Sequence, residues 1–516
     1  MGFTQHAPEV SARGRWLALT AALLGWMFDG AEMGVFSMVG RPALQQLLHL
    51  EQPTADQEQT IILWLGVVIG GFLVGAATGG VLFGWLGDCI GRVRAMTLSV
   101  FTYAVFTGLC GLVGEAWQIG VLRFIAALGM GGEWSLGVAL VMEVWPNRSR
   151  AFMAGLIGAA ANVGYMLVGL IGLGLAGMLA SMEGWLTGLG LPSSWVETLV
   201  SHQGWRLMMI LGTLPALLTF FIRLCVPESA KWQEEQGRGA TTSWATYDLL
   251  AVLLGALGPA LMIYLWAWEH PLVLRLLGSL LGLAVVTAGY LYPVIRYLQR
   301  QAGAGAGSAA WRPTIRRMLL AACLSGVALL GTWGSTQQTV AWADKMTPDK
   351  TLRAKEFTQI ALALGAIVGT IGAALLGGAI GRRKTYGLMC GLSLGSVLLL
   401  FQNDHYGPWF LFTAFLAGAF TASFYGWLPL YLPELFRTRV RATGQGFSFN
   451  FGRILAAVGA LQLGSLVQLF DKGLDLGVLQ MAKGYPAACT VLSLIYLVGM
   501  GLIWLAPETR GQPLPE

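Results

Sequence analysis

The sequence predicts an all-α integral membrane protein that crosses the bilayer many times, and three observations carry that expectation. Its 516 residues are 55% hydrophobic and only 11% charged, whereas a soluble domain carries roughly 25% charged residues. Apolar stretches recur from near Trp16 to Ala506, and a run of about 20 residues spans the hydrocarbon core as a helix. Glycine is abundant at 71 residues, which lets membrane helices approach one another closely.

The first run, 16–40, holds Asp29 and Glu32 in the stretch "FDGAEMGVF". It is too long for a signal-peptide core and no small-residue cleavage site follows, so it reads as a retained helix. Runs at 59–83, 95–115, 117–143, 151–179 and 205–225 complete a set of six. A second set follows at 314–337, 357–379, 385–402, 408–432, 442–470 and 486–506. Between them lie 248–268 and 272–298, split by "WEHP" and closed by "AGAGAGSAA" at 302–310. The expectation is fourteen transmembrane helices in three segments: 1–230, 231–312 and 313–516.

With both termini and the even-numbered connections on the cytoplasmic side, most of the 32 Lys and Arg fall there, as orientation by basic residues requires. Residues 343–356 run against this with Lys345, Lys350, Arg353 and Lys355, partly offset by Asp344, Asp349 and Glu356. The net charge of +6 sits at helix ends, so it speaks for topology and not for nucleic acid. Six scattered Cys and five unpaired His show no ligand spacing for a metal. No phosphate-binding loop of the G-x-x-x-x-G-K-[ST] kind occurs. "GLGLAG" at 172–177 lies inside an apolar run with no preceding strand and reads as helix packing. No metal and no cofactor is expected.

Three landmarks recur between the sets. "LGDCIGR" at 86–92 matches "LGGAIGR" at 376–382, "EVWPNRSRA" at 143–151 matches "ELFRTRVRA" at 434–442, and "PES" at 227–229 matches "PET" at 507–509. Two parallel six-helix halves around a midplane site are the architecture of a transporter whose halves rock.

"GWLGDCIGRVRA" at 84–95 resembles the signature between the second and third helices of the major facilitator superfamily. The resemblance implies the major facilitator fold and alternating access. It also implies a cytoplasmic gate built from Asp88, Arg92, Glu143, Arg148, Arg150, Glu434, Arg439 and Arg441, with simple topogenic charge as the plainer alternative. The second copy carries Gly378 where the first has Asp88. "RFIAALGMGGEW" at 123–134, "PELFRTRVRATGQG" at 433–446 and "PETRGQPLPE" at 507–516 resemble the metabolite and sialate:proton symporter branch. Sugar porters are the nearest rival, although "PESAKW" lacks their following Pro-Arg.

A charge at mid-bilayer costs roughly 2.5–3.5 kcal/mol on insertion scales, so Asp29 and Glu32 mark function, and "DGAE" resembles the D-G-x-D element of proton-linked organic-acid symporters. Glu133, at a depth similar to Asp29, and Arg123 join them as proton-coupling candidates, against a static buried ion pair. Which of Asp29 and Glu32 carries the proton stays open. Arg453, a planar cation suited to a carboxylate, is the candidate for anion recognition, against a structural pair with an acid on the first helix, and Asn450 lies one turn before it; Asn162, Tyr165, Trp333, Gln337, Gln338 and Tyr425 are further cavity groups, with interhelical packing or placement in the interfacial belt as the alternative for each. The reading is a proton-coupled secondary transporter importing a small organic anion, sialate-like or another carboxylate, with a carrier for neutral hexose as the alternative. A receptor or membrane enzyme would need a signalling domain or a metal, nucleophile or nucleotide motif. The expected setting is a cell membrane, a bacterial inner membrane, with the chain acting as a monomer.

Overall fold

The computed structural model describes residues 11–50, 52–302, 311–470, 472–475 and 480–516; all of the Gly/Ala stretch except Ala302 lies outside them. Long apolar runs form helices because a lipid-exposed backbone must satisfy its own hydrogen bonds. The first set comprises α1 (Ala12–Leu47), α2 (Ala55–Ile90), α3 (Arg92–Leu109), α4 (Ala116–Val144), α5 (Arg150–Gly188), α6 (Ser193–Leu211) and α7 (Ala216–Cys225). A short α8 (Ala230–Gly237) leads to α9 (Leu249–Gly255), α10 (Leu257–Ala267) and α11 (Leu272–Ala302). The second set begins with α12 (Arg312–Gly334), α13 (Thr339–Met346), α14 (Ala354–Ile380) and α15 (Arg382–Leu400). It continues through α16 (Pro408–Thr421), α17 (Phe424–Tyr431), α18 (Arg441–Asn450), α19 (Gly452–Leu469), α20 (Tyr485–Ser493) and α21 (Ile495–Leu502). A two-residue antiparallel pairing sets Leu474 against Met481.

Among the described residues, 10 helical stretches are long and apolar enough to cross a membrane. The other four expected crossings are helical but interrupted or diluted by polarity. α1 carries Asp29, Glu32 and three arginines; α15 opens on Arg382-Arg383-Lys384 and continues rich in Gly and Ser. The expected helix 205–225 breaks at residues 212–215 and follows a kink at Ser201–Gly204. The expected helix 442–470 breaks at Phe451. The inserted hairpin α9–α11 crosses tightly where Gly258 meets Gly282: an added Cβ at Gly258 would lie 2.3 Å from the Gly282 carbonyl oxygen. It bridges the sets, with Tyr290 Oη 2.6 Å from Thr78 Oγ1 on α2 and Gln462 of α19 donating to the Trp266 carbonyl at 3.4 Å.

Candidate functional site

α2 ends and α3 begins on one residue, Gly91, whose φ of +109° an L side chain rarely adopts; Gly381 repeats this between α14 and α15 at φ +104°. These turns aim the arginines that follow them back into the bundle. Arg92 donates to Asp88 at 2.8 Å, to Glu143 at 3.2 Å, to the Gly87 carbonyl at 2.7 Å and, across to the second set, to the Thr438 carbonyl at 2.8 Å. Glu143 also accepts from Arg441 at 2.8 Å and from Ser229. Asp88 accepts from the backbone N–H of Thr443 at 2.9 Å, its hydroxyl at 2.7 Å and the Ala442 N–H at 3.3 Å. A first-set carboxylate therefore caps the N-terminus of a second-set helix, where unsatisfied N–H groups and the helix dipole favour negative charge.

Glu434 pairs with Arg382 through two bonds, of 2.5 and 3.0 Å, and accepts from Thr509 at 2.5 Å. Arg150 bonds its own corner, donating to the Met142 carbonyl at 3.1 Å and to Asn147. Arg439 donates to Gln301 at 3.3 Å and not to a carboxylate, and Arg148 is exposed. Sequence reasoning missed Thr438, Thr443, Ser229, Glu228 and Glu508; the paired "PES" and "PET" were the signal for the last three.

Midway along the bundle the four ionisable groups of the first set sort into two pairs. Arg123 of α4 donates to Glu32 of α1 at 2.6 Å, both side chains buried, and its guanidinium lies 3.9 Å from the Phe36 ring centroid. Asp29 and Glu133 are both buried and lie close enough to interact directly, and two carboxylates can share a hydrogen bond only with a proton between them, because ionised carboxylates only accept. The small Gly25 makes this possible: a Cβ there would fall 1.7 Å from Glu133 Oε1. Arg453 of α19 lies in the electrostatic field of Asp29, 5.5 Å from the Phe449 ring centroid.

Arg453 opens into a cavity of about 100 Å³ between the sets. Trp26 and Met33 of α1, Asn162 and Tyr165 of α5, Trp333, Thr336 and Gln337, Tyr425 of α17 and Phe449 of α18 line it. Tyr165 Oη lies 3.4 Å from Gln337 Oε1, and Thr336 donates to Thr421 at 3.0 Å. Phe449 stacks on Trp134 with centroids 3.7 Å apart. Two expected members lie elsewhere. Asn450 is buried at a helix crossing, donating to the Gly131 carbonyl at 3.0 Å, and Gln338 donates to the Trp333 carbonyl at 3.0 Å. Trp26, Phe449, Thr332, Thr336 and Thr421 were not anticipated; the signal for the first was its place one turn before Asp29.

Several buried atoms here have no hydrogen-bond partner: Arg453 Nε and Nη1, Asp29 Oδ1, Glu133 Oε2 and Trp26 Nε1. Buried polar groups are ordinarily satisfied, so a cluster of unsatisfied ones beside a cavity is equipped to receive a polar ligand or proton.

The sequence profile described as Sugar (and other) transporter matches residues 17–248. The cis,cis-muconate transport protein of Acinetobacter baylyi is 25% identical over 486 residues, covering 93% of this chain and 94% of that protein. The inner membrane metabolite transport protein YgcS of Escherichia coli is 27% identical over 459 residues, covering 87% of this chain and 84% of that one. The fold is similar to that of the proton:xylose symporter XylE bound to 6-bromo-6-deoxy-D-glucose, with a TM-score of 0.64 at 16% identity and 97% of each chain covered. The chain is thus an all-helical, multi-pass membrane protein whose two latched helix sets enclose a buried charged cavity, with a fold similar to that of a major facilitator superfamily symporter and similarity along nearly its full length to metabolite transport proteins.

Proposed function

We propose that the chain is a proton-coupled carrier importing a small organic anion through alternating access, with fourteen crossings arranged as six, two and six. The observation that carries this reading is Arg453: a buried guanidinium with Nε and Nη1 unpartnered, opening into the cavity between the sets and sharing its field with Asp29. A carboxylate substrate satisfies those N–H groups in the planar geometry a guanidinium favours.

Asp29 and Glu133 hold a proton between them, and Glu32 with Arg123 forms the fixed pair that anchors α1 to α4. Arrival of the substrate anion at Arg453 withdraws that cation from Asp29, which favours retention of the proton on the acid pair. Substrate and proton then travel together because each removes a charge that the dry cavity penalises. Tyr165, Trp333, Gln337, Tyr425 and Asn162 supply the remaining contacts. The Arg92, Glu143 and Arg441 network is the inner gate, on the cytoplasmic side by the distribution of basic residues. A relative that transports muconate, itself a carboxylate, supports the anionic class. The bacterial inner membrane and a monomeric state complete the reading.

Uptake into proteoliposomes of labelled sialate, muconate and hexose, with and without an inward proton gradient, tests it. Gradient-driven accumulation of a carboxylate is expected in wild type, its abolition in Asp29→Asn, and a loss of affinity of about tenfold or more in Arg453→Ala, the size of losing a charge-assisted hydrogen bond. Hexose uptake indifferent to the gradient refutes the proposal in favour of the neutral-sugar reading.

A further inference from the structure

Resting on that proton-coupled reading, we propose that Tyr103 of α3 is a positioning residue of the proton site: when the Asp29 and Glu133 pair gives up its proton, the Tyr103 hydroxyl donates to the Glu133 carboxylate. Tyr103 is only 1% exposed and sits in an apolar cluster with Ala18 and Ala21 of α1, Met96 of α3 and Met130 of α4. Its Oη has no hydrogen-bond partner among the described residues, and neither has Glu133 Oε2 or Asp29 Oδ1. A buried tyrosine hydroxyl ordinarily finds a partner. Packing in this cluster asks only for a ring, so the hydroxyl is surplus to the fold.

The two helices bring that hydroxyl toward the acid. α3 begins beside the Asp88 network and α4 ends there, so the two run antiparallel, and they approach closely at Gly129. Ser99 donates to the Gly129 carbonyl at 2.5 Å, and a Cβ at Gly129 would lie 2.7 Å from the Tyr103 backbone nitrogen and 3.1 Å from its Cβ. Glu133 follows one turn later on α4, about 6 Å nearer the gate. Helical side chains lean toward the N-terminus of their own helix, which for α3 is the gate end. The Tyr103 ring therefore leans from Gly129 toward Glu133, and the length of a phenol side chain covers that rise. Glu133, Asp29 and Glu32 are the acids whose charges act on Tyr103. Arg453 acts on Asp29, and Arg123 is taken up by Glu32.

With a proton held between the two acids, Glu133 needs no further donor. Once the proton leaves, an ionised carboxylate only accepts, and burying it without a donor is costly. An O–H within reach favours the ionised form and so eases release of the proton.

Infrared titration of the full-length protein in detergent micelles reads this without a substrate. A carbonyl band of protonated carboxyl that fades with rising pH is assigned to the pair by its loss in Asp29→Asn and in Glu133→Gln. In Tyr103→Phe its midpoint is expected about one pH unit or more higher, the roughly tenfold tighter hold on the proton that loss of a hydrogen bond to a charged group implies. Tyr103→Met removes the same hydroxyl with a flexible side chain that fills gaps and is expected to give the same shift, which keeps the test available if the phenylalanine variant fails to fold. Thr107→Val removes another buried, unpartnered hydroxyl one turn further along α3 and is expected to leave the midpoint in place. A titrating band whose midpoint is unchanged in the Tyr103 variants overturns the role of Tyr103 while the acid pair stands, as does an equal shift in Thr107→Val. Absence of any such band in wild type overturns the shared proton itself, and the role of Tyr103 with it.

Discussion

At the start of α3 and again at the start of α15 the chain builds the same junction. Glu228 accepts from the backbone N–H groups of Arg92 at 2.9 Å and Val93 at 3.1 Å; Glu508 accepts from those of Arg382 at 2.9 Å and Arg383 at 3.1 Å. Each junction has an arginine on a glutamate of the same half, and a hydroxyl, Ser229 or Thr509, on that glutamate. Each also has an indole donating at 3.0 Å to a junction carbonyl, Trp232 to Asp88 and Trp427 to Arg382. The copies part where the first reaches across to the second half. Asp88 reaches across to α18, whereas its counterpart Gly378 brings only its backbone near α5, and a Cβ there would lie 3.1 Å from Ala151 Cβ. The two junctions are built alike, and the contacts of Asp88, Arg92 and Glu143 with Ala442, Thr443, Thr438 and Arg441 make one of them span the halves.

The largest effect expected from breaking this comparison is at Arg92. Arg92→Ala removes the cation bonded to Asp88 and one of the two bonded to Glu143, both acids being fully buried, and the loss of one partner from a buried ion pair costs about 3–5 kcal/mol. Arg382→Ala strands only Glu434, so its unfolding midpoint in detergent is expected to fall less. Equal losses would mean that the cross-half contacts carry no extra weight. Asp88→Asn is next: it keeps the shape but removes the charge from the N-terminus of α18, worth about 1–2 kcal/mol. Spin-label distances across that end should broaden toward the open state, and adding Gly378→Asp should restore part of the closed population by meeting the first turn of α5.

The smallest effect separates the two capping glutamates by pH. Burial pushes the Glu228 carboxyl above the ordinary 4.5, although backbone N–H groups and Arg92 oppose it. Burial likewise opposes ionisation of Glu508, but four backbone N–H groups outweigh it and hold the carboxyl below 4.5. Stability from Glu508 is therefore present above pH 4.5 and lost as pH falls through its lowered value. Glu228 contributes in the other sense: its share is full below pH 4.5 and lost as pH rises through its raised value. Unfolding midpoints against pH should flatten on the acid limb in Glu508→Gln and above pH 4.5 in Glu228→Gln. The same limb flattening in both would make the junctions equivalent.

The paired landmarks were legible because they sit at helix junctions, where a glycine of positive φ and the charges around it have few substitutes, and the run 117–143 became α4 (Ala116–Val144) almost unchanged. Helix breaks were less legible. The chain parts at residues 212–215 and at Phe451 inside apolar runs, because packing against neighbours decides where a membrane helix yields. Depth along the helix brought Asp29 and Glu133 to a common level, yet it did not assign Arg123 to Glu32, since a long side chain covers most of a helical turn. Asn450 bonds a neighbouring backbone at a helix crossing, a place the sequence does not distinguish from a cavity face, because a polar side chain in mid-helix reads alike in both. Thr332 and Thr421 passed unnoticed because a threonine whose hydroxyl can bond its own helix sits in an apolar run without signalling a site, and Thr336 because its partner, Thr421, is distant in sequence.

The inserted hairpin α9–α11 touches both halves, Thr78 of α2 through Tyr290 and Gln462 of α19 through Trp266. A rocking motion cannot keep both attachments at fixed length. Under the proposed alternating access the hairpin slides against one half while it rides on the other, so its two attachments couple the insert to any relative motion of the halves.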